Sequence, residues 1–320
     1  MKIDNAPKRY LPFIKGTYQV AAGLAVLKPD TKIFDFDQTS LDYLEGKVKA
    51  RDEDLSKYYV RGKVKDHELK FILRFIARTL AREYPNYFKL VENDEVMRLE
   101  CLLTDEYLNY DDAYFDAHNS SLLYDYKDGL DAMVSQIPDD VAIWRREQTK
   151  EFLALAHLCA PNHWDPNDKV GKSFNEVHAP VGDWQSELAP KAQALVSTMI
   201  EKGPYERFAW GLATDDRLNH HPRPPAGIEL SQWQGRNFSK ENPALFVRVE
   251  RQVLCPFSEL GLGLSLFFIR TYFYDVLELS IQERAQLVSA LKGMSAQTLH
   301  YKGLSSSQGE IIEYLEGLNS

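Results

Sequence analysis

Two arginines interrupt apolar strand faces near the end of the chain. By the period-two alternation of a strand, Arg251 shares a face with the leucine and valines of 245–253, and Arg270 shares one with the leucines and phenylalanine of 262–268. A guanidinium keeps its charge, so a buried arginine needs a carboxylate, a phosphate or another anion as its partner. The pattern leaves two interpretations open: an internal ion pair with Glu250 or another acid, or contact with a bound anionic group.

Arg248 and Glu250 occupy the opposite face of the first of these strands, beside Gln252. Side chains two positions apart on one strand face are neighbours. A carboxylate and a guanidinium placed in this way can assist proton delivery at a reaction site. Their geometry decides whether they do so here.

Among the histidines, His178 has the surroundings that suit a metal ligand. A ligating imidazole must be neutral and held by a rigid segment. Ala179 precedes Pro180, which biases Ala179 towards an extended conformation and stiffens the backbone beside His178. Phe174 and Val177 supply apolar neighbours. His178 is therefore the candidate metal ligand.

Other histidines have plainer interpretations. His157 lies in an apolar run and is typical of a core histidine whose hydrogen bonds are satisfied. His220 and His221 lie in a long segment rich in Pro, Gly and Asn, residues 215–243, where we expect them to be exposed. His157 and His163 are the next candidates if His178 is not the ligand.

Asp35, Asp37 and Thr39 reproduce the D-x-D-x-T motif of haloacid-dehalogenase-type phosphohydrolases, and Gly182-Asp183 resembles that family's distal acidic motif. That chemistry needs the first motif at the end of a buried parallel strand, whereas only Ile33 and Phe34 precede it here. The phosphohydrolase stays an alternative. We favour a turn with exposed acids that leads into a helix.

The candidate residues require a sheet and helices to position them. Strands at 245–254 and 262–274 predict a hairpin with a polar connection at 256–261, and 207–214 predicts a further strand. Helical spacing and capping signals predict helices over 66–83, 191–200, 280–294 and 310–318, and a helical segment over 144–150.

The composition is that of a soluble globular protein with 320 residues, 44% of them hydrophobic and 27% charged. A net charge of −9 argues against nucleic-acid binding. Three cysteines without C-x-x-C spacing fit a reducing compartment and exclude a thiolate-held iron–sulfur cluster. No apolar run is long enough to span a membrane, and no signal peptide is present, so we expect a cytoplasmic protein.

Six short motifs resemble, in order and spacing, the α-subunit family of the haem-dependent oxidative N-demethylases. They are P-N-H-W (161–164), V-H-A-P-V (177–181), R-F-A-W (207–210), R-V-E-R-Q (248–252), F-F-I-R-T-Y (267–272) and Y-K-G-L (301–304). The similarity covers most of residues 150–305. Ala209 departs from it, since the family often has Asn in R-x-N-W, which implies an amine other than a simple methylamine.

The resemblance implies an α+β fold in which helices cover a curved antiparallel sheet with a PAS-like haem-binding core. We expect one haem-binding domain over 1–320. Its parts are an N-terminal helical portion at about 1–135, a sheet core at about 136–275 and C-terminal helices at 276–320.

For the site, the resemblance implies haem b with His178 as the axial ligand to iron. Arg251 and Arg270 are then expected to hold the propionates, because both interrupt apolar strand faces. Trp210 and Tyr272 are expected to line the macrocycle. Glu250 and Arg248 are the expected catalytic residues, assisting proton delivery to dioxygen.

For the reaction, the resemblance implies a monooxygenase subunit that converts a methylated amine into the demethylated amine and formaldehyde. The sequence has no G-x-G-x-x-G motif and no cysteine cluster, so electrons are expected from a separate flavin or iron–sulfur reductase. A haem-based sensor or haem-binding protein without turnover remains the alternative, because a PAS-like core serves sensing equally well.

Overall fold

The predicted hairpin lies at the centre of a large sheet in the computed structural model, which describes residue 3 and residues 5–93, 95–111 and 125–318. The strands are β1 (Ala25–Val26), β2 (Tyr59–Arg61), β3 (Phe88–Glu92), β4 (Val96–Cys101), β5 (Glu106–Asp111), β6 (Asp140–Glu147), β7 (Lys150–His157), β8 (Tyr205–Ala213), β9 (Phe246–Pro256) and β10 (Leu264–Asp275).

Helices connect and cover these strands. They are α1 (Ser40–Tyr58), α2 (Asp66–Glu83), α3 (Gly129–Val134), α4 (Pro166–Lys169), α5 (Phe174–His178), α6 (Trp184–Glu187), α7 (Ala192–Glu201), α8 (Leu230–Trp233), α9 (Ile281–Lys292), α10 (Ala296–Tyr301) and α11 (Gln308–Gly317). Ser280 and Glu283 form the predicted capping box of α9. None of the helices within the described ranges is long and apolar enough to cross a membrane.

The large sheet has seven antiparallel strands in the order β1-β8-β9-β10-β6-β7-β2. A smaller sheet, β3-β4-β5, lies in the N-terminal third, which also contains the two long helices α1 and α2. The protein is therefore α+β, as predicted. Both edge strands of the large sheet, β1 and β2, come from the N-terminal third, so that part of the chain is joined to the central sheet by backbone hydrogen bonds.

Strand alternation gives the large sheet two faces with different surroundings. Residues directly opposite in an antiparallel ladder share a face. Phe208, Arg251 and Arg270 are aligned across β8, β9 and β10, and they define what we call the core face. The next row, Ala209, Glu250 and Thr271, defines the site face.

Different elements pack on the two faces. The core face is covered by the segment before α1 and by α2, α9 and α11, whose apolar side chains form two clusters with the valines of β9. The site face is covered by α5, α6 and α7 through Phe174, Trp184 and Val196. The sheet thus separates two sets of candidate residues.

The predicted helical segment over 144–150 is wrong, since residues 140–147 form strand β6. Val141 and Ile143 are buried on one face, and Ala142 and Trp144 are buried on the other. A strand that is buried on both faces shows no polar alternation, so its pattern cannot be told from a short helix.

The segment at 215–243 is held against the sheet. His220 and His221 are each 1% exposed, so the prediction that they lie in solvent is wrong. Trp233 in α8 donates its indole N–H to the His221 carbonyl oxygen at 2.7 Å. Arg248 also bonds this segment from the site face, through the Leu218 carbonyl oxygen at 3.2 Å.

Candidate functional site

Arg251, one of the two strand arginines, has its charge matched within the fold. Its Nε donates to Glu206 at 2.6 Å, and one terminal nitrogen donates to the Ile33 carbonyl oxygen at 2.8 Å. A second acid, Asp35, lies 3.5 Å from the guanidinium. Arg251 is 1% exposed and lies on the core face.

Arg270, on the neighbouring strand, is also paired within the fold, although its buried Nε has no hydrogen-bond partner in the described part of the chain. It donates to Asp37 at 3.2 Å and to Thr39 Oγ1 at 2.7 Å, and its guanidinium lies 4.4 Å from the centre of the Tyr43 ring. The sequence left open whether these arginines pair internally or bind an anionic ligand. The internal interpretation holds for both.

The D-x-D-x-T motif therefore supplies counter-charges. Asp35 and Asp37 are each 3% exposed, so the prediction of exposed acids is wrong. Asp35 also accepts hydrogen bonds from the Tyr10 and Tyr272 hydroxyls at 2.7 and 2.8 Å. The phosphohydrolase alternative is wrong as well, because the motif precedes α1 and follows no parallel strand.

Trp210 and Tyr272, the residues expected to line a macrocycle, also lie on the core face. The Trp210 ring packs 5.5 Å from Phe13 and 5.9 Å from Tyr18. Tyr272 is 4% exposed. The structure thus brings four of the predicted cofactor residues together, but within a packed and internally paired part of the core.

Arg248 on the site face anchors neighbouring backbone. It donates to the Ala160 carbonyl oxygen at 2.7 Å and to His220 Nδ1 at 2.8 Å. Since His220 Nδ1 accepts that bond, its Nε2 carries the proton and donates to Asp215 at 2.8 Å. Arg248 Nε lies 3.9 Å from Glu250.

Glu250 is the acid at the centre of the site face. It lies opposite Ala209 on β8 and Thr271 on β10, and Gln252 donates to it at 3.1 Å. Its side chain is 15% exposed. Thr271 Oγ1 beside it is buried and has no hydrogen-bond partner within the described part of the chain.

Cations surround Glu250. We call Arg207, Arg236, Arg248 and Lys302 the cation cluster. Burial lowers the pKa of Arg207, Arg236 and Lys302, that of Lys302 to about 8, while the charge of Glu250 opposes the shift at Arg207 and Lys302. These three side chains nevertheless keep some accessible surface.

Tyr301 lies within this cluster. Burial of its hydroxyl and the nearby charge of Glu250 raise its pKa, although the residue as a whole is 41% exposed. Lys302 next to it donates to the Trp210 carbonyl oxygen at the edge of β8. Arg207 Nε is buried and has no hydrogen-bond partner among the residues described. The cluster therefore holds more positive charge than its own acid can balance.

His178 lies on the same side of the sheet. Its Nδ1 is 2.8 Å from the Phe174 carbonyl oxygen, and because a carbonyl only accepts, Nδ1 carries the proton and Nε2 keeps its lone pair. Its ring stacks on Trp184 with centres 4.9 Å apart. Burial lowers the pKa of His178 to about 4, and the charge of Arg207 adds to that shift. The imidazole is neutral at pH 7 and has a free nitrogen.

The backbone beside His178 differs from the prediction. His178 ends helix α5, and Ala179 has φ −51° and ψ −33°, so the predicted extended segment is wrong. Ser173 and Glu176 form a capping box that starts a helical turn, and this turn outweighs the preference that Pro180 imposes on Ala179. The capping box, rather than Pro180, therefore restrains the backbone beside His178.

His157 and His163 are the other histidines considered as ligands. His157 pairs with Asp131 at 2.8 Å and is 1% exposed, which confirms a core histidine. Cys159 Sγ lies 3.9 Å from His157 Nδ1, but burial raises the pKa of that thiol, so this Cys–His–Asp row has no reactive thiolate. The His163 ring stacks on His220 with centres 5.5 Å apart.

A surface cleft of about 300 Å³ lies elsewhere, between the β6–β7 turn and α7. Its charged residues already have partners: Arg146 pairs with Glu201 at 2.7 Å, and Glu151 accepts from the Phe174 backbone N–H at 2.9 Å. The charged residues of this cleft are thus already engaged within the protein, so it is a poor candidate for a reaction site. Within the described residues, no three His, Cys, Asp or Glu side chains meet as metal ligands.

The site face thus combines one neutral imidazole with an excess of fixed positive charge. Such an arrangement suits a negatively charged group that also accepts a nitrogen atom as a ligand. The sequence matches the family described as haem-dependent oxidative N-demethylase, alpha subunit-like, over residues 23–312. The chain belongs to this family, which confirms the resemblance found from its motifs. No curated protein matches the chain.

The residues of the site face fit a haem. A haem needs a neutral imidazole for its iron and partners for two carboxylates. His178 offers an unprotonated Nε2, and Arg207 offers a buried Nε that no described residue bonds. The sequence did give a signal for Arg207, Tyr301 and Lys302, because they open the R-F-A-W and Y-K-G-L motifs. Arg236 lies in none of these motifs, so nothing in the sequence indicated that it belongs to the site.

Proposed function

We propose that this chain is the oxygenase subunit of a haem-dependent oxidative N-demethylase, a single domain with a PAS-like core that binds haem b on the site face. The observation that carries the proposal is that the free Nε2 of His178 lies on the same side of the sheet as Arg207, whose buried Nε has no hydrogen-bond partner in the described part of the chain. Family membership supports the haem dependence and an oxidoreductase activity at the level of the family.

The residues proposed to hold haem are those of the site face. His178 would bind iron through Nε2, with its ring orientation fixed by the Phe174 carbonyl and by Trp184. Arg207, Arg236 and Lys302 would hold the propionates. They replace Arg251 and Arg270, whose charges Asp35, Asp37 and Glu206 already balance. Trp210 and Tyr272 face away from His178 and take no part.

Glu250 is proposed to hold and deliver protons. Its carboxylate has Arg248 on one side and accepts from Gln252 on the other, so its position is fixed while 15% of its side chain stays open. Arg248 would act indirectly, because its bonds to Ala160 and His220 hold the segments around Glu250 in place.

Bound haem would supply the activation of dioxygen that oxidises an N-methyl group to formaldehyde. Two electrons and two protons balance this reaction, in which one oxygen atom enters formaldehyde and the other leaves as water. The electrons would come from a separate flavin or iron–sulfur reductase, as the designation of an α-subunit suggests. Ala209 lies opposite Glu250, where its small side chain would favour an amine larger than a simple methylamine.

Oxygen consumption tests the function. Haem-loaded protein with a chemical reductant should consume dioxygen faster when a secondary or tertiary methylamine is added, and formaldehyde should form in step with that extra consumption. Stable, reversible oxygen binding that no methylamine alters would contradict the proposal and would favour a haem-based sensor.

A further inference from the structure

Gly182 and Asp183 join the two segments that carry the ligand and the cations. The Asp183 carboxylate accepts hydrogen bonds from the hydroxyls of Ser295 and Thr298, the latter at 3.0 Å. The Asp183 backbone N–H donates to Gln297 Oε1 at 3.3 Å. The turn between α5 and α6 is thus bonded to the start of α10, more than 100 positions later in the chain.

Asp183 adopts a conformation that its residue type rarely takes. It has φ 59° and ψ 11°, in the left-handed region, and its side chain makes no capping bond to α6. For a non-glycine residue this costs about 1 kcal/mol or more. The backbone reversal places Trp184, the next residue, against His178, with their rings 4.9 Å apart.

Gly182 is needed for the close approach of the two segments. A Cβ on Gly182 would lie 2.5 Å from the Thr298 backbone nitrogen and 2.6 Å from its Cα. Gly182 does not have a left-handed φ, so its conformation alone would admit alanine. Its small size serves the contact with α10.

Helix α10 leads from this contact to the cation cluster. Thr298 lies in α10, Tyr301 ends the helix, and Lys302 follows. Lys302 is bonded to the Trp210 carbonyl oxygen, so the helix is fixed to Asp183 at one end and to β8 at the other. A shift at Asp183 would therefore move Tyr301 and Lys302 relative to His178.

We propose that Gly182 and Asp183 form a positioning element that sets the distance between the His178 imidazole and the Tyr301–Lys302 end of the cation cluster. The inference rests on the proposed haem site, although the contact itself does not. The two residues would act through others and touch no substrate. In the sequence, the pair resembles only the distal motif of a phosphohydrolase.

Three variants separate the contributions of the Asp183 carboxylate, the left-handed backbone at Asp183 and the small size of Gly182. Asp183→Gly keeps the left-handed backbone without strain and removes the carboxylate. Asp183→Asn tolerates the same backbone and keeps one acceptor oxygen, so it should restore part of the function. Gly182→Ala adds only a methyl group at the contact. Gly309→Ala is the control, since, apart from the backbone of its own helix and its chain neighbours, no described atom lies within 4 Å of a Cβ placed on Gly309.

The first measurement is hydrogen exchange of the full chain without haem. Asp183→Gly and Gly182→Ala should speed exchange in residues 174–184 and 295–302 together, with Asp183→Asn between them and the wild type. Faster exchange in only one of the two segments would show a local capping role and would overturn the inference. Gly309→Ala should leave both segments unchanged.

The second measurement uses the haem-loaded chain. Asp183→Gly should raise the rate of haem transfer to apomyoglobin on the order of tenfold, as expected for the loss of hydrogen bonds to a charged group, and should alter the absorption bands that report axial ligation. Wild-type transfer rates and spectra in Asp183→Gly would contradict the positioning role. If the wild type takes up no haem, the proposed function fails, and the exchange result alone then decides for or against the positioning element.

Discussion

Arg251 and Arg270 lie directly opposite each other on β9 and β10, with both side chains on the core face. Two like charges in this position would destabilise a sheet. Asp35 lies 3.5 Å from Arg251, and Asp37 lies 3.2 Å from Arg270. The segment before α1 is therefore held to the centre of the sheet by two buried ion pairs.

Asp35→Asn should destabilise the protein by about 3 kcal/mol, because it leaves the buried Arg251 without part of its counter-charge. Asp42→Asn, on the exposed side of α1, is the matched control and should change the free energy of unfolding by less than about 0.5 kcal/mol. Urea unfolding measures both. Equal effects of the two substitutions would show that the pair contributes no more than a surface charge.

Asp139 should make stability fall as the pH rises. It is 1% exposed, and burial raises its pKa to about 7 from the ordinary 3.8. Between these two values the folded chain keeps a proton that the unfolded chain has lost, so the free energy of unfolding decreases with rising pH.

Asp139→Asn removes this titration. The stability difference between the wild type and the variant should change with pH by up to about 1.4 kcal/mol per unit below pH 7 and become constant above it. Urea unfolding at a series of pH values measures the difference. A difference independent of pH would contradict a raised pKa at Asp139.

Arg207→Met should weaken haem retention while leaving the axial ligand in place. The substitution removes a charge proposed to bind a propionate and keeps an apolar side chain of similar length. We expect faster haem transfer to apomyoglobin with unchanged absorption bands. Arg223→Met is the control, because the Arg223 side chain is 58% exposed and pairs with Asp165 outside the cation cluster. Equal transfer rates for the two variants would argue against a propionate partner at Arg207.

Ala209→Asn should shift amine preference towards smaller methylamines. The amide would occupy space opposite Glu250 that the alanine methyl leaves open. Haem content should stay the same, since Ala209 is not among the proposed haem partners. The measurement is kcat/KM for formaldehyde formation across amines of increasing size. An unchanged order of preference would place the amine elsewhere.

The sequence was sufficient for elements defined by local pattern. The hairpin, the helix over Asp66–Glu83 and the faces shared by Arg251 and Arg270 follow from alternation and helical spacing. It was insufficient for partners distant in the chain. Arg251 bonds Ile33 across 218 positions, and no local pattern indicates that the acids before α1 reach β9.

Two further predictions are wrong for reasons that lie in the local sequence. Residues 144–147 form the end of strand β6, where Trp144 is followed by three charged residues, so no alternation of apolar and polar residues reveals the strand period. At Ala179 a capping box overrode the preference before proline, so a favourable pair of hydrogen bonds outweighed a moderate steric bias. Alternation tells which residues share a face of the sheet but not which face a ligand occupies, so the sequence did not distinguish the face of Arg251 and Arg270 from that of Arg248 and Glu250 as the ligand-binding face.

Titration of the full chain with hemin, compared between the wild type and His178→Ala, tests the central claim most directly. The wild type should bind one haem per chain with a Soret band that shifts on reduction. His178→Ala should remain folded, retain haem more weakly, and lose the axial signature until added imidazole partly restores it. A wild-type spectrum in His178→Ala would make His163 the next ligand to test, and a wild-type chain that stays colourless with hemin would contradict the haem site altogether.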